Sequence, residues 1–424
     1  MSPKPSPGDD IASLHGALVA HLKRIGLIRT PSVEAAFRAV PRHVFLPGAG
    51  LQQAYSDEAI PVKFADGRPI SSSSQPAIMA IMLEQLALEP GHHVLEIGAG
   101  TGYNAALMAH IVGEGGRVVT VDIDADLVES AQAHLQAAGY ARVQVVCGDG
   151  GFGFPQGAPY DRIILTVGAS EIAPAWREQL KPEGRLVLPL SIKGPQKSVA
   201  FARQADHFVS LSVQDCGFMS LRGAFAEPDR LVQLAAEPGL YLSVDDPRRV
   251  KADAVYRWLT GPSRDLPTGV HVRISEIWGS LNQWLALREA DACDLSAEDG
   301  WAERGLAPCL IEIWGQYRIC ATSGLLGEAG LSVLTRRPDR IPFAERQPDE
   351  TPFELFVRAF GPDEALAQRL IKEVKTWDAL GRPGTAGMRI RAYPAEAAYT
   401  PQENESVVTR RWTRLVLDWP SPLV

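Results

Sequence analysis

The chain has 424 residues, a formal net charge of -8 from 42 basic and 50 acidic side chains, and 46% hydrophobic against 22% charged residues. That length favours two or three domains, and the composition excludes disordered, collagen-like and disulfide-scaffold proteins. The charge divides evenly, 18 basic and 21 acidic residues in 1–225 and 24 and 29 in the remainder, so neither half carries the basic excess of a nucleic-acid footprint.

Ile11, Leu14, Leu18, Leu22 and Ile25 fall at helical spacing and predict a first amphipathic helix. Thr30-Pro31 reads as the N-cap and first-turn proline of a second helix through Phe37. A polar loop is expected over Ser56–Ser74, with Ser74 capping a third helix whose face is Ile78, Met82 and Leu86. From residue 91, short apolar runs (His93–Ile97, Arg117–Asp122, Val143–Val146, Arg162–Thr166, Arg185–Leu190) alternate with helix-like stretches (Ala105–Val112, Asp126–Ala138, Pro174–Leu180). That rhythm predicts an α/β protein with a doubly wound, Rossmann-like parallel sheet. Val199–Ser212 and the segment around Phe218 are expected to add antiparallel edge strands.

Beyond residue 225 the rhythm breaks at Ala226-Glu227-Pro228-Asp229 and again near Gly261-Pro262-Ser263. The predicted division is therefore a first domain over 1–225 and a second, α+β domain over 226–424. The second contains a helix with Leu366, Leu370, Val374 and Trp377 on one face and a final strand alternating through Thr413, Leu415, Leu417 and Trp419. No run of about 18 apolar residues is present and the first ten residues lack a signal-like apolar stretch, which predicts a cytoplasmic protein with no membrane partner. Five cysteines without a CxxC pair predict reduced thiols and no metal site.

The strongest local signal is Val94-Leu95-Glu96-Ile97-Gly98-Ala99-Gly100-Thr101-Gly102-Tyr103. An apolar strand runs into three alternating glycines, which let the backbone approach a ligand while the following helix N-terminus offers free N–H groups. The spacing is GxGxG rather than the GxGxxG of dinucleotide folds. Glu96 beside the turn suits the ammonium of S-adenosylmethionine; another nucleotide and a purely structural turn are the alternatives. Asp122 ends the next strand, placed to accept from ribose hydroxyls, and Asp149 follows the third strand, placed to accept from an adenine amino group. Three acids at successive strand ends lie where open α/β sheets bind ligands.

Residues 35–220 resemble the protein-L-isoaspartate O-methyltransferase family. The matching segments are Val40-Pro41-Arg42 with Phe45-Leu46-Pro47, Ala54-Tyr55-Ser56-Asp57, Ser74-Gln75-Pro76, Val94–Tyr103, Gly148-Asp149-Gly150, Tyr160–Thr166 and Gln179-Leu180-Lys181. The resemblance implies a class I methyltransferase that uses S-adenosylmethionine to esterify the side carboxylate of an isoaspartyl residue in a protein or peptide, the ester then collapsing to a succinimide. It implies Ser74 as the active-site serine, with Ser73, Gln75 and Thr166 as substrate contacts. Glu96, Gly98, Gly100, Thr101 and Gly102 then form the methionine-side pocket, Asp122 the ribose contact, and Asp149 with Gly150 the adenine side. Because a carboxylate is already ionised at neutral pH, no general base is required, and His15, His21, His43, His92, His93 and His110 are expected to be structural.

The chain departs from the family's pattern in its serine run Ser71–Ser74, in Ala77, where relatives carry a larger residue, and in its length. The extended form resembles methyltransferases that modify an ordinary aspartate during ribosomal peptide maturation, which leaves two acceptors open. Trp278, Trp284 and Trp377 either line a peptide groove or belong to a core. A catalytically silent module that binds S-adenosylmethionine or peptide is the alternative of another class. No oligomeric state follows from the sequence.

Overall fold

The computed structural model describes residues 7–65, 67–227, 230–298, 300–301, 308, 310–314, 318–337 and 351–419. Helix α1 (Pro7–Arg24) buries Leu18 and Leu22. Helix α2 (Pro31–Ala39) is capped by Thr30, whose hydroxyl accepts the Val33 N–H at 3.4 Å. The region expected as a loop is instead a hairpin, β1 (Ile60–Ala65) and β2 (Arg68–Ser73), paired antiparallel from Ile60↔Ser73 to Ala65↔Arg68. The missed signal is the Asp66-Gly67 pair between two runs, a strong hairpin-turn dipeptide; Gly67 has φ +73°.

Helix α3 (Pro76–Leu86) follows directly. Ser74 does not cap it: the chain enters through Gln75, and the carboxylate of Asp57 accepts the Ala77 N–H at 2.8 Å from outside. The Ser74 hydroxyl is thus released from the structural duty expected of it.

Next comes the alternating unit: β3 (His93–Ile97), α4 (Tyr103–Val112), β4 (Arg117–Asp122), α5 (Ala125–Ala137), β5 (Gln144–Cys147), β6 (Tyr160–Leu165), α6 (Pro174–Gln179), β7 (Leu180–Leu190), β8 (Lys197–Arg203) and β9 (Phe208–Asp215). Strands β5, β4, β3, β6 and β7 pair parallel in that spatial order, and β8 and β9 continue antiparallel. Alternate residues face opposite sides, as a pleated strand requires. Val94, Val118 and Ile164 join one core with α1 to α4, while Leu95, Val119 and Ile163 join a second core with Trp176 on the other face. The doubly wound, Rossmann-like parallel sheet expected from the sequence is the observed one. The expected strand near Phe218 is a loop, with an isolated bridge between Ser220 and Gly168.

The second sheet is built from β10 (Leu231–Ala235), β11 (Leu240–Val244), β12 (Ser263–Val272), β13 (Ala292–Glu298), β14 (Ile311–Trp314), β15 (Arg318–Leu326), β16 (Leu331–Arg336) and β17 (Phe353–Phe360). Its order is β10-β11-β13-β15-β16-β17-β12, with β14 on β15. Helix α7 (Ala252–Leu259) packs near one end, and α8 (Glu364–Ala379) buries Leu366, Leu370, Val374 and Trp377 as its periodicity predicts. The chain then returns. Strands β18 (Arg389–Pro394), β19 (Ser406–Thr409) and β20 (Thr413–Asp418) extend the first sheet in the order β19-β20-β18-β9, giving it ten strands. The sequence-based division at 225/226 assigned them to the second unit; by hydrogen bonding they belong to the first sheet. β20 lies between two neighbours and buries Val416 and Asp418 as well as Leu415 and Leu417.

Cys147, Cys216 and Cys293 are free thiols, whereas Cys320 is disulfide-bonded, against the expectation of reduced cysteines throughout. Among the described residues no helix is long and apolar enough to cross a membrane.

Candidate active site

A cavity of about 680 Å³ opens at the C-terminal ends of β3, β4 and β6, the edge at which open α/β sheets bind ligands and a volume suited to a small cofactor. At one end lies the glycine turn. Gly98, Gly100 and Gly102 all adopt positive φ, at +101°, +52° and +87°, which side-chain-bearing residues rarely tolerate. Their surroundings separate the three. A Cβ on Gly98 would meet the Thr166 hydroxyl at 2.5 Å, and one on Gly102 would press Leu135 and Ala131 of α5 at 3.2 and 3.3 Å. A Cβ on Gly100 would approach only the carbonyl of Ser72, at 3.6 Å across the gap. Packing therefore adds to the φ requirement at Gly98, Gly102 is merely tight against α5, and Gly100 keeps the space between the turn and the serine strand clear.

Asp122 lines the cavity. One carboxylate oxygen accepts the Gly100 N–H at 2.9 Å and the other the Asp124 N–H at 3.2 Å, so the acid is oriented and retains lone pairs for ligand hydroxyls. Thr101 also lines it, nearly buried.

Two expected ligand contacts lie elsewhere. Glu96 is fully buried and absent from the cavity wall. Its register partner on β4 is Thr120, which puts both side chains on one face. The Thr120 hydroxyl donates to Glu96 Oε2 at 2.6 Å, and the Asn104 amide donates to Oε1 at 2.7 Å. Burial pushes the Glu96 carboxyl up to about 7, against the pull of these two hydrogen bonds. Asn104 does line the cavity, so the acid acts through the amide that it orients. Asn104 escaped the sequence reading; its signal was an amide in the first turn of a largely apolar helix.

Asp149 is the second displaced residue. Its carboxylate accepts the N–H groups of Gly151 at 2.9 Å and Ala224 at 2.7 Å, tying the 216–225 loop to the end of β5. Gly150 beside it does line the cavity; a Cβ there would sit 2.3 Å from Ile97.

The other end of the cavity is formed by Ser71, Ser72, Ser73, Ser74 and Gln75. Arg42, fully buried, builds this end. Its guanidinium donates to the carbonyls of Ala54, Ser56, Glu58 and Ser74 at 2.9–3.1 Å, fastening the serine strand to the preceding loop. Gln75 donates to the carbonyl and carboxylate of Asp57. The Ser73 hydroxyl is buried with no partner among the described residues. Thr166 lines the cavity between the two ends, its hydroxyl donating to the Gly98 carbonyl at 2.6 Å. No histidine contributes to the wall; His15 and His43 bond instead to the Phe37 carbonyl and the Tyr55 hydroxyl.

Missed by sequence reading are Ile123, Gln196 and the loop 216–222. Of the three tryptophans considered for a peptide groove, only Trp278 reaches the cavity; Trp284 and Trp377 are core, 4% and 0% exposed. Among the described residues the charged groups on the wall are two carboxylates, Asp122 and Asp215, and Arg222, which is paired with Asp124. Such a wall offers no cationic cradle for a pyrophosphate and suits a cationic ligand.

Residues 13–225 match the family described as protein-L-isoaspartate(D-aspartate) O-methyltransferase. The chain belongs to this family. A protein-L-isoaspartate O-methyltransferase of Methanopyrus kandleri is 40% identical over 216 residues, covering 50% of this chain and 93% of its own. One of Thermococcus onnurineus is 46% identical over 173 residues, covering 41% of this chain and 76% of its own. A solved structure named protein-L-isoaspartate O-methyltransferase matches over 89% of this chain and 96% of its own, with 24% identity and a TM-score of 0.49. In this isoaspartyl methyltransferase family member, residues 226–419 lie outside the matched family region.

Proposed function

We propose that this protein transfers a methyl group from S-adenosylmethionine to the side-chain carboxylate of an isoaspartyl residue in a protein or peptide, giving an ester that collapses to a succinimide. The observation that carries the reading, beside family membership, is one cavity that joins Asp122 and the glycine turn to the serine run. The bound donor supplies an electrophilic methyl on a sulfonium. Asp122 accepts from its ribose hydroxyls, and the Gly100 gap leaves room for it against the backbone.

The acceptor needs no proton removed at neutral pH, so the protein's work is alignment and exclusion of water. Ser74, freed from capping and anchored through its carbonyl by Arg42, donates to the acceptor carboxylate. Ser73, Gln75 and Thr166 complete that side of the cavity.

The narrower reading is a dedicated peptide acceptor bearing isoaspartate or an ordinary aspartate, as in ribosomal peptide maturation. It is supported by Trp278, through which the region beyond residue 225 enters the cavity. In that reading residues 1–225 hold the chemistry, and 226–424, whose last three strands complete the first sheet, recruit the peptide.

Labelled S-adenosylmethionine with an isoaspartyl peptide and its aspartyl twin tests both. Base-labile label in the isoaspartyl peptide alone supports repair-type chemistry, and label in the aspartyl peptide supports maturation. A protein that binds S-adenosylhomocysteine yet labels neither these peptides nor a deamidated protein mixture is a silent binding module instead.

A further inference from the structure

Trp278 sits in a π-helical turn, Ile277–Leu281, within the helical segment leading to Asn282–Arg288. Such turns are uncommon and recur at functional sites because they re-aim a side chain. Here Ile277 and Leu281 are fully buried in the core of the second unit, while Trp278 packs on that core and turns into the cavity of the first.

The turn is held on both sides. Ser280 donates to the Pro383 carbonyl at 2.6 Å and accepts the Trp377 N–H at 2.7 Å. The Thr385 hydroxyl bonds to the Gly279 carbonyl at 2.5 Å, and the fully buried Lys197 of β8 donates to Thr385 at 3.0 Å and to Asp215 at the end of β9. Gln283 donates to the Lys193 carbonyl at 2.7 Å. Trp278 is therefore a fixed part of the wall.

Its indole N–H has no partner among the described residues, whereas those of Trp176, Trp284, Trp377 and Trp419 all donate to protein oxygens at 2.7–3.2 Å. A half-buried indole with a vacant donor is suited to a ligand that is apolar with a nearby acceptor. Phe218, Met219 and Ala77 share the wall. Asp215 on the same wall is paired with Lys197 and Arg222 with Asp124, so among the described residues the wall offers no unpaired cation to an acidic side chain.

We infer that Trp278 is a specificity-determining residue for the acceptor peptide: its ring packs on a neutral, preferably apolar side chain next to the methylated residue, and its N–H donates to a peptide carbonyl. This rests on the proposed methyl transfer and adds which neighbours the acceptor must have. The second unit thus selects substrate by completing the cavity itself.

The test uses the full chain and two isoaspartyl peptides that differ only in the following residue, Leu or Glu. Wild type shows the lower KM for the Leu peptide. Trp278→Ala raises that KM about tenfold or more, a usual loss for a buried aromatic anchor. It leaves kcat within about twofold and S-adenosylhomocysteine affinity unchanged, because binding rather than chemistry is altered, and it erases the Leu over Glu preference. Trp278→Phe, which keeps the ring and fits the same turn, retains the preference and guards against misfolding of the alanine variant. Unchanged KM and preference in both variants overturns the inference while leaving the methyltransferase reading intact. A wild type that methylates neither peptide while binding S-adenosylhomocysteine overturns both.

Discussion

Glu96 and Thr120 stand opposite each other on adjacent parallel strands, and the threonine hydroxyl donates to the buried carboxylate at 2.6 Å. With Asn104 on the other oxygen, this places an acid behind the ligand turn as its brace. The arrangement has a pH signature. Burial first, and nearby Asp122 in addition, raise the carboxyl from 4.5 to about 7, while the two hydrogen bonds oppose the rise.

Below pH 4.5 both folded and unfolded states hold the proton and nothing is lost. Between 4.5 and about 7 the unfolded chain is ionised while the folded one stays protonated, so stability falls as pH rises; above 7 the loss is constant, roughly 3 kcal/mol for such a shift. Glu96→Gln keeps the shape and removes the titration. Melting series of both proteins from pH 4.5 to 8 are expected to show the variant gaining on wild type as pH rises to 7, then running parallel. A difference independent of pH would remove the assignment.

Asp122 is the cavity carboxylate beside the glycine turn, and its hydrogen bond from the Gly100 N–H fixes both the acid and the turn. Asp122→Ala is expected to weaken S-adenosylhomocysteine binding about tenfold to a hundredfold in calorimetry, corresponding to one or two charge-assisted hydrogen bonds. Unchanged affinity would sink the ribose assignment.

The methyltransferase half was legible because its signals are local: alternating strands and helices, and glycines whose φ values need no neighbour to explain them. The hairpin was missed because polar serines outweighed the Asp66-Gly67 dipeptide. Glu96 and Asp149 were read as ligand contacts because sequence shows which residues end a strand but not what is packed against them; Thr120, Asn104, Gly151 and Ala224 engage them. The return of β18 to β9 was invisible, since Ile390 meets the Ser210 hydroxyl across 180 residues of chain. Trp278 carried no periodicity that distinguishes a cavity wall from a core.

Ser73 and Ser74 adjoin in sequence and are expected to differ in effect. The Ser73 hydroxyl is buried without a partner, so Ser73→Ala relieves an unsatisfied group and stabilises the free protein by about 1 kcal/mol, while raising the peptide KM. Ser74→Ala leaves stability and S-adenosylhomocysteine affinity unchanged and lowers kcat, because a donor aligned on the acceptor is missing in the transition state. Single-turnover kinetics with thermal melts separate the two. An Ser74→Ala enzyme with wild-type kcat would rule out its role.

Arg42 is fully buried, and its terminal nitrogens donate to four backbone carbonyls, one of them that of Ser74. The planar guanidinium forks to four acceptors at once; an ammonium on a flexible stem has only three donors and cannot reproduce that plane. Arg42→Lys is therefore expected to lose about 2–4 kcal/mol by denaturant unfolding, more than one ordinary hydrogen bond, because buried carbonyls are left unpaired. The loss reaches the chemistry as well. With its carbonyl released, Ser74 no longer holds a fixed position, so kcat falls in the folded variant at low temperature while S-adenosylhomocysteine affinity, set at the far end of the cavity, is retained. Equal losses of cofactor affinity and kcat would show that Arg42 supports the whole domain and not the serine strand in particular.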